Sequence, residues 1–534
     1  MSRSPLVLLL ICAAAFGLAS PAQATTMSYL DNGVVKVGVD LDRGGMIVYL
    51  APSGAPPSAN LVDATTLGDG IQPWFQAGPN PYRNPAPPYE SNPWNPSVGG
   101  DAYGHASYSN TYLASNDGTT IHTTTYPRQW ALGDVGCKCE IEQWLTLDGA
   151  AVKLRVKLEI YSYDSNDIGA ALHDEQLPAL HLASTLNRLV TYTDPEPFSG
   201  GTVTQLAAGS QRTSVTAPES WAALVDASGT GVGVIHPGIT RYDYAAGFLA
   251  PVATANLNPG SDSALTLEDA STIVVGTAAQ IRAYAVAHHP DLRPDYQFTS
   301  DDSRLWTRWN AGPPSSTSSG FAAVPWEDAQ LLGPDEWFAS DAVPTLYVRG
   351  AWHTHDTLAQ IFWRAPGGPF TEQRSVRFRV VNDGRMHTYA VPLSGQVLYT
   401  GLVAQLRFDP VCCLETSSLV DLASISWRPD PAAIPVAIEH ARQLELRLVR
   451  DRKHRFGALG RLVAGDSYLP CVSHVRIRLQ RLISGSWLPA KTLYTGTGGE
   501  FSVALPPKSR SHYRAIADLL VLKGNVCAAI AATA

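Results

Sequence analysis

Short runs in which apolar and polar residues alternate recur along most of the 534-residue chain. Between Val152 and Tyr161 the polar side chains Lys153, Arg155 and Lys157 fall on every second position. Successive side chains of a β-strand point to opposite faces, so a period of two predicts a strand with one buried and one exposed face. The pattern therefore predicts β-structure over these runs.

Turn signals separate the runs at the spacing of β-hairpins. Asp31-Asn32-Gly33 opens Val34–Asp40, and Asp42-Arg43-Gly44-Gly45 leads into Met46–Leu50. Gly and Asn favour the tight turns that join neighbouring antiparallel strands. Further strands are predicted over Ile141–Leu147, Trp221–Val225 and Gly231–Ile235, the last two as a hairpin around Asp226–Gly229.

Composition supports an all-β chain of several domains. The sequence has 44 Gly and 39 Pro, only 16% of its residues are charged, and no segment shows a long amphipathic helical pattern. At roughly 100–200 residues per domain, the length predicts three or four domains. The Pro- and Ser-rich stretch 312–320 and the linker Arg428-Pro429-Asp430-Pro431 separate three sections, for which we predict the bounds 25–295, 296–429 and 434–534.

The first residues predict export. Arg3 precedes the apolar run Leu6–Leu18, and Ala22-Gln23-Ala24 is a small-residue cleavage site, so residues 1–24 are predicted to be a secretory signal peptide. The run is too short for a membrane-spanning helix, and no other segment has the pattern of one. We expect a secreted protein, extracellular or periplasmic.

The cysteines fit an oxidising compartment. Six of the 7 cysteines lie after residue 24, and an even number in an exported chain predicts disulfides. We favour a bond between Cys471 and Cys527, because both fall in the last section. The pairing of Cys137 and Cys139 stays open, and a bond between them across one residue is one option; a zinc site there is disfavoured, since no second ligand pair at zinc-finger spacing follows them. The neighbours Cys412 and Cys413 leave a vicinal bridge open.

Charge is distributed unevenly. Residues 441–534 contain 15 Lys/Arg against 5 Asp/Glu, a net of +10, which leaves the rest of the chain at −18. A basic end on an acidic body is typical of attraction to an anionic polymer, for example at a cell surface. A solvated charged face explains the same count. No nucleic-acid-binding motif accompanies the basic section, so we expect no nucleic-acid partner.

The first section resembles the galactose-mutarotase-like β-supersandwich of carbohydrate-active enzymes. The likeness rests on DNGVVKVGVDLDRGGMIVYL, GDGIQPWFQAG, NPWNPSVGGDAYGH, RQWAL, EIEQWLTLDG, HDEQLPAL and WAALVDASGTGVGVIHP. The stretch LYVRGAWHTHDTLAQIFWRAPGGPFTEQRSVRFRVVNDGRMHTYAVPLSG resembles a jelly-roll carbohydrate-binding module, and CVSHVRIRLQRLISGSWLPAKTLYTGTGGEFSVALPPKSRSHYRAIA resembles a small bacterial Ig-like domain. The resemblance implies an all-β fold with a supersandwich, a jelly-roll β-sandwich and an Ig-like β-sandwich in that order.

Loops rich in aromatic and amide residues predict a sugar-binding groove in the first section. Aromatic rings stack on the C–H faces of sugars, and Asn, Gln and Arg bind the hydroxyl groups. The predicted substrate-binding residues are Gln72, Trp74, Gln76, Trp94, Asn95, Arg128, Trp130 and Gln176. Packing of the tryptophans in a large sandwich core is the competing explanation, since Trp is usually buried.

Protonation chemistry suggests two catalytic sets. In a polysaccharide lyase, His105 would act as base and Tyr103 as proton donor, with Asn95 and Arg128 neutralising a uronate carboxylate. In a glycoside hydrolase, Asp101 and Glu175 would be the paired carboxylates.

Two other functions stay open. A sugar epimerase would use His105 with His236, although no decisive Glu partner is visible. A non-catalytic glycan-binding or cell-surface protein is the main alternative. The sequence does not specify the polymer, the bond cleaved or the oligomeric state.

No cofactor is predicted. Phosphate-binding, dinucleotide-binding and Gly-Xaa-Ser-Xaa-Gly motifs are absent from the sequence. Asp301-Asp302 and Asp409-Pro410 would fit a structural calcium site, although no full ligand loop is visible. His353 and His355 lie on one face of a predicted strand, which we interpret as an exposed face rather than a metal site.

Overall fold

The computed structural model describes residues 26–63, 69–77, 95–100, 108–129, 136–161, 171–258, 264–300, 302–314, 319–411, 418–450, 456–506 and 512–534. Strands account for nearly all of its regular structure, and they form several sandwich-type sheets. The prediction of an all-β, multidomain fold is confirmed. The bounds of the three sections, and the jelly-roll and Ig-like character of the last two, stay predictions.

The first section contains nineteen described strands: β1 (Met27–Asp31), β2 (Val35–Asp40), β3 (Met46–Pro52), β4 (Ile71–Trp74), β5 (Pro96–Ser97), β6 (Asn110–Asn116), β7 (Thr120–Tyr126), β8 (Arg128–Gln129), β9 (Cys139–Asp148), β10 (Ala151–Ile160), β11 (His173–His181), β12 (Arg188–Thr191), β13 (Thr204–Ala207), β14 (Thr213–Thr216), β15 (Trp221–Val225), β16 (Thr230–Ile235), β17 (Arg241–Ala245), β18 (Phe248–Ala255) and β19 (Leu265–Thr277).

The second section and its linker contain β20 (Asp295–Gln297), β21 (Thr307–Gly312), β22 (Phe321–Ala339), β23 (Thr345–His353), β24 (Leu358–Arg364), β25 (Ser375–Arg379), β26 (His387–Pro392), β27 (Leu402–Asp409), β28 (Leu419–Ser426), β29 (Ile434–Pro435) and β30 (Ile438–His440). The last section contains β31 (Arg442–Arg450), β32 (Phe456–Ala464), β33 (Arg476–Ile483), β34 (Ser486–Tyr494), β35 (Glu500–Ala504), β36 (Tyr513–Ala517), β37 (Leu520–Leu522), β38 (Asn525–Cys527) and β39 (Ile530–Thr533).

Two large sheets form the first section. One runs in the order β1-β2-β3-β4-β11-β18-β17-β14, with β5 beside β4 and β8 beside β5, and the other runs β13-β12-β15-β16-β19-β10-β9-β7-β6. Their apolar faces meet in one core, to which β10 contributes Val152, Leu154, Val156, Leu158 and Ile160. These are the apolar positions of the alternating run in the sequence.

The predicted hairpins form as the turn signals indicated. β2 pairs antiparallel with β3, and β15 pairs antiparallel with β16. The turn before β3 requires glycine: Gly44 has φ +63°, and a Cβ there would lie 1.9 Å from the carbonyl oxygen of Val98. The strand predicted at Ile141–Leu147 is the centre of β9.

One α-helix, α1 (Ala278–His288), follows β19 in the described part of the chain. Thr277 caps it, because its hydroxyl accepts from Gln280 N while the Gln280 side chain accepts from Thr277 N. Only Ile281 and Ala285 of α1 are buried, so the helix gives no long amphipathic pattern. Short 3₁₀ turns occur at Leu41–Arg43, Pro57–Ala59, Ser340–Ala342, Glu372–Arg374 and Leu469–Cys471.

The third sheet extends from the second section into the last. Its order is β29-β26-β23-β28-β22-β27-β24-β25-β30-β38-β37, with β20 beside β28 and β21 beside β22. The long β22 pairs with β28 near its start and with β27 further along, so it links two layers around a separate core. β30 pairs with both β25 and β38, which continues the sheet past residue 434. Two small sheets, β31-β32-β35 and β34-β33-β36-β39, complete the last section.

Two disulfides are present. Cys471 is bonded to Cys527, as predicted, and Cys137 is bonded to Cys139, a pairing that the sequence left open. The Cys412-Cys413 pair and the predicted signal peptide lie outside the described residues. Among the helices of the described ranges, none has the length and apolar character needed to cross a membrane.

The carboxylates considered for calcium are engaged in ion pairs. Asp302 lies 3.0 Å from the Arg304 guanidinium, and Asp409 lies 2.5 Å from that of Arg407. The described ranges contain no group of three or more His, Cys, Asp or Glu side chains that could hold a metal ion. Asp301 lies outside those ranges.

Candidate functional site

Seven of the predicted site residues fall within the described ranges, and they lie on adjoining strands of the first sheet. Trp94, Asp101, Tyr103, His105 and Trp130 are outside the described residues. The strands β4, β5, β8 and β11 carry or adjoin the others: Gln72, Trp74, Gln76, Asn95, Arg128, Glu175 and Gln176. The sheet therefore brings together residues that are about 100 positions apart in sequence.

Gln72 and Asn95 hold the segment 95–100 against the sheet. Gln72 Oε1 accepts from Gly99 N at 2.7 Å and from Ser97 Oγ at 3.1 Å. Asn95 N donates to Gln129 Oε1 at 3.1 Å, and Asn95 Oδ1 accepts from the indole nitrogen of Trp74. Both side chains are buried, so they position neighbouring residues in this state of the protein.

Arg128 is half-buried at the edge of the same sheet. Its backbone nitrogen donates to Ser109 Oγ at 2.8 Å, and its Nε donates to the carbonyl oxygen of Tyr108 at 3.3 Å. Part of the guanidinium thus holds the backbone of Tyr108 beside β8.

Glu175 points away from the predicted groove. It pairs with Ala253 on β18, whereas its neighbour Gln176 pairs with Trp74 and Val252, so the two side chains lie on opposite faces of β11. Glu175 is fully buried, and its Oε2 accepts from Gln76 N at 2.6 Å. Burial raises the pKa of this carboxyl well above its ordinary value, and no described residue hydrogen-bonds to Oε1.

A bulge in β11 brings His181 to the same face as Gln176. The register of β11 shifts between Gln176 and Leu180, and His181 then pairs with Phe248. Phe248 and Val252 are four positions apart on β18 and share a face, so their partners His181 and Gln176 share one also. In an unbroken strand, two residues five positions apart would point to opposite sides.

We call the resulting surface the Trp74 face, made of Trp74, Ala179, His181, Arg212, Ala245, Phe248 and Ala250. The ring centroids of Trp74 and His181 are 6.3 Å apart, and those of His181 and Phe248 are 5.3 Å apart. The Arg212 guanidinium carbon lies 3.8 Å from the Phe248 ring centroid and 6.0 Å from that of Trp74. The three alanines are buried beneath these larger side chains.

His181 has the geometry of a proton acceptor. Its Nδ1 lies 3.3 Å from Asp69 Oδ1, and its Nε2 is buried without a hydrogen-bond partner within the described segments. Burial lowers the pKa of His181 below 6.5; Asp69 opposes that shift and the nearby charge of Arg212 supports it. The imidazole is therefore neutral at pH 7, with Asp69 placed to orient it.

Sequence reasoning missed His181, Asp69 and Arg212. His181 stands one residue beyond the HDEQLPAL stretch, and its odd spacing from Gln176 hides the shared face. Arg212 precedes β14 and reaches the site only because β14 pairs with β17 and β17 with β18. A His at the end of a predicted strand is the one signal that could have marked this site.

His236 lies elsewhere. It follows β16 in the second sheet, is buried, and its Nε2 is 2.6 Å from Asp269 Oδ1. Burial disfavours the charged imidazole, but Asp269 outweighs it and raises the pKa of His236. It does not share a face with His181.

No protein-family model and no curated protein matches the chain. Among solved structures, a putative aldose 1-epimerase from Escherichia coli K12 is similar at 13% identity, with 47% of this chain and 99% of that chain covered and a TM-score of 0.30. A galactose mutarotase-like protein from Lactobacillus casei ATCC 334 is similar at 10% identity, with 47% of this chain and 99% of that chain covered and a TM-score of 0.30. The glycoside hydrolase domain of Endo-D from Streptococcus pneumoniae R6 has 9% identity, with 49% of this chain and 39% of that chain covered and a TM-score of 0.18. Likeness at this level assigns no activity to the present chain.

Proposed function

We propose that this chain is an exported carbohydrate-active enzyme that binds a polysaccharide on the Trp74 face and cleaves it as a lyase. One observation carries the proposal: a neutral histidine, His181, has a buried Nε2 with no hydrogen-bond partner among the described residues, and its ring lies beside an aromatic ring and an arginine. A base, a stacking platform and a cation are the groups that elimination from a uronate residue requires.

Binding follows from the side chains of this face. Trp74 offers a half-buried indole ring for the apolar face of a sugar, and the amide of Gln176 lies buried beside it. Arg212 is exposed and always charged at neutral pH, so it is suited to a carboxylate. A uronate polymer therefore fits better than a neutral glucan.

The cleavage step uses His181 as base. Nε2 is covered in this structure, so the substrate must first displace the side chains over it. Nε2 then removes the proton at C5 of the uronate, the C4–O bond breaks, and a C4–C5 double bond forms. Arg212 stabilises the negative charge that develops on the carboxylate. The imidazolium can return its proton to the departing oxygen when the proton and the leaving group lie on the same side of the ring.

Hydrolysis has less support from the described residues. A glycoside hydrolase needs two carboxyl groups flanking one bond. Glu175, the predicted partner of Asp101, lies on the core side of β11, away from Trp74.

Export is part of the proposal and rests on two features. Residues 1–24 have the composition of a signal peptide, and two disulfides are of the kind that persists in oxidising compartments.

The proposal is tested on protein beginning at Thr25 with a panel of uronate-containing and neutral polysaccharides. New reducing ends together with ultraviolet absorbance from unsaturated uronate ends are the expected result. Reducing ends without that absorbance would indicate a hydrolase. Binding with neither signal would indicate a glycan-binding protein that lacks catalysis.

A further inference from the structure

Three exposed tyrosines lie together on the outer face of the second sheet. Tyr112 on β6, Tyr126 on β7 and Tyr161, directly after β10, each keep between 43% and 46% of their surface exposed. We call this surface the tyrosine patch, made of Tyr112, Tyr126, Tyr161 and Glu140. The Trp74 face belongs to the first sheet, so the core of the first section separates the two surfaces.

Strand register brings these residues to one face. Thr125 pairs with Ile141, which lies in the core, so the adjacent residues Tyr126 and Glu140 point outward. β6 has one extra residue opposite β7, and that residue is Tyr112. This bulge lets the Tyr112 ring stack on the Tyr126 ring, with the centroids 4.4 Å apart and an angle of 16° between the planes.

Glu140 orients two of the three rings. Its Oε2 accepts hydrogen bonds from the hydroxyls of Tyr112 and Tyr161. Partial burial and the Glu140 carboxylate raise the pKa of both hydroxyls, so both stay protonated at neutral pH. Rings that are held at their hydroxyl ends lose little freedom when a ligand binds, and the patch is therefore preorganised.

Trp144 shows how an aromatic side chain on the same face is covered when its role is structural. Its cross-strand neighbours are His122 on β7 and Arg155 on β10. The His122 ring centroid lies 4.8 Å from that of Trp144, and the Arg155 guanidinium carbon lies 4.5 Å from the indole centroid. The tyrosines instead stay exposed to solvent, and a group of exposed apolar rings marks an interaction site.

We propose that the tyrosine patch binds a neutral polysaccharide chain, with the tyrosine rings stacked on the C–H faces of its sugar units and Glu140 accepting from a sugar hydroxyl. The inference goes beyond the proposed function, because binding here requires no cleavage on the Trp74 face. It gives the first section a second point of attachment to a glycan, on the other side of the sandwich.

The charges at the patch favour a neutral chain over a polyanion. The charged group in direct contact with the tyrosines is the carboxylate of Glu140, which would repel a polyuronate. The neighbouring Lys157 is paired with Glu159, and the Nε of Arg128 donates to the carbonyl oxygen of Tyr108 at 3.3 Å. A neutral chain meets no such repulsion and can use the carboxylate as a hydrogen-bond acceptor.

Affinity electrophoresis of protein beginning at Thr25 tests the inference. The gels contain mixed-linkage β-glucan, xyloglucan or galactomannan as neutral probes, and polygalacturonate as the anionic probe. We expect a neutral polysaccharide to retard the parent, and the double variant Tyr112→Ala/Tyr126→Ala to bind it about tenfold more weakly, because the stacking surface is removed. Equal retardation of the double variant, or no retardation of the parent by any neutral probe, would overturn the proposal.

Two further variants serve as controls. Tyr494→Ala removes an exposed tyrosine from β34 of the last section and should migrate as the parent does. Glu140→Ala keeps all three rings but removes the group that orients two of them, so it should weaken binding by about threefold or more without lowering the thermal midpoint. Unchanged affinity in the folded Glu140→Ala protein would overturn the site as proposed.

Trp74→Ala separates the two faces of the sandwich. Retardation by the neutral probe should be the same in this variant as in the parent. Retardation that is lost in Trp74→Ala and kept in the double tyrosine variant would place the chain on the Trp74 face and overturn the inference. The proposed lyase activity is read separately, from unsaturated uronate ends, so failure of one proposal is distinguishable from failure of the other.

Salt and sedimentation separate the other occupants. The backbone of Lys138 contacts that of Tyr161, so a polyanion held beside the patch by charge would be released by salt. We expect retardation by the neutral probe to be insensitive to salt. Salt-sensitive retardation by polygalacturonate alone would overturn the proposal, as would a dimer of the parent that the double tyrosine variant abolishes and that binds no polysaccharide.

Discussion

His181 and Glu175 belong to one strand but meet different surroundings. Glu175 lies in the core between the two sheets, whereas His181 lies on the Trp74 face beside Asp69. Burial favours the neutral form of both, so it raises the pKa of the acid and lowers that of the imidazole. Neutral His181 can accept a proton, and neutral Glu175 fills space without an unpaired charge.

Replacing His181 with Ala should lower kcat by about 10²- to 10⁴-fold while the affinity for polysaccharide changes little, because a general base is lost and the stacking surface stays. His173→Gln, at the other end of β11, is the matched control and should retain activity. Steady-state rates and binding isotherms on the substrate found in the panel measure both. Equal rates for His181→Ala and the parent would remove His181 from the mechanism.

The acid limb of the pH–rate profile should report the titration of the His181 imidazole. The base must be neutral, and the pKa of His181 is lowered from its ordinary value of 6.5, so activity should rise with pH with the midpoint of the rise below pH 6.5. Asp69 raises that pKa, so Asp69→Asn should move the limb to lower pH. A limb that stays in place in Asp69→Asn would show that another group controls it.

The buried carboxyl of Glu175 should make the stability of the protein depend on pH. The Glu175 carboxyl keeps its proton to higher pH in the native state than in the unfolded state. Above about pH 4.5 the native state therefore binds more protons than the unfolded state, and the free energy of unfolding falls as pH rises. Glu175→Gln lacks this titration, and its thermal midpoint should fall less than that of the parent between pH 5 and 8. Thermal melts across this range give the comparison, and parallel curves for the two proteins would contradict the prediction.

At the scale of elements, a bulge decides which residues meet. β9, β10 and the two hairpins follow the period of two in the sequence, and their bounds lie close to those predicted. β11 departs from it between Gln176 and Leu180, and this shift places His181 beside Trp74. The strand that carries the proposed base is thus the one where the simple pattern fails.

The disulfide between Cys471 and Cys527 joins a 3₁₀ turn to β38 across 56 positions. Loop-closure entropy predicts that replacing both cysteines with Ser lowers the free energy of unfolding of the last section by about 4 kcal/mol. The bond between Cys137 and Cys139 closes a loop of only a few residues. Replacing both of these cysteines with Ser should therefore lower the free energy of unfolding by only about 1.5 kcal/mol. Urea unfolding of the two variants measures the difference, and equal losses would contradict the loop-length argument.

At the scale of the molecule, the third sheet joins sections that differ in charge. β30 connects β25 of the second section to β38 of the basic last section. The predicted anionic-polymer partner would therefore bind a section that a continuous sheet joins to the second section. Whether residues 441–534 act this way stays a prediction.

Arg447 offers a test, because 79% of its side chain is exposed on β31. The chain should be retained on immobilised heparin, an anionic polysaccharide, at low ionic strength and released by salt, since screening weakens such contacts. Arg447→Glu should elute earlier than Arg379→Glu, an exposed control in the second section. Identical elution of the two variants would argue against a role for the basic section.

The sequence by itself determined the all-β class, the hairpins and the pairing of Cys471 with Cys527, because alternation, turn residues and the placement of two cysteines in one section can be read from the chain directly, whereas the pairing of Cys137 with Cys139 was settled only by the structure. It also indicated Trp74 and Gln176, which the structure places side by side as a cross-strand pair. Only the tertiary structure decided that Glu175 faces the core, that Arg212 and Asp69 reach His181, and that three tyrosines meet around Glu140. Those facts depend on strand order, on a bulge that reverses which side chains share a face, and on contacts between residues far apart in the chain, none of which a period of two encodes.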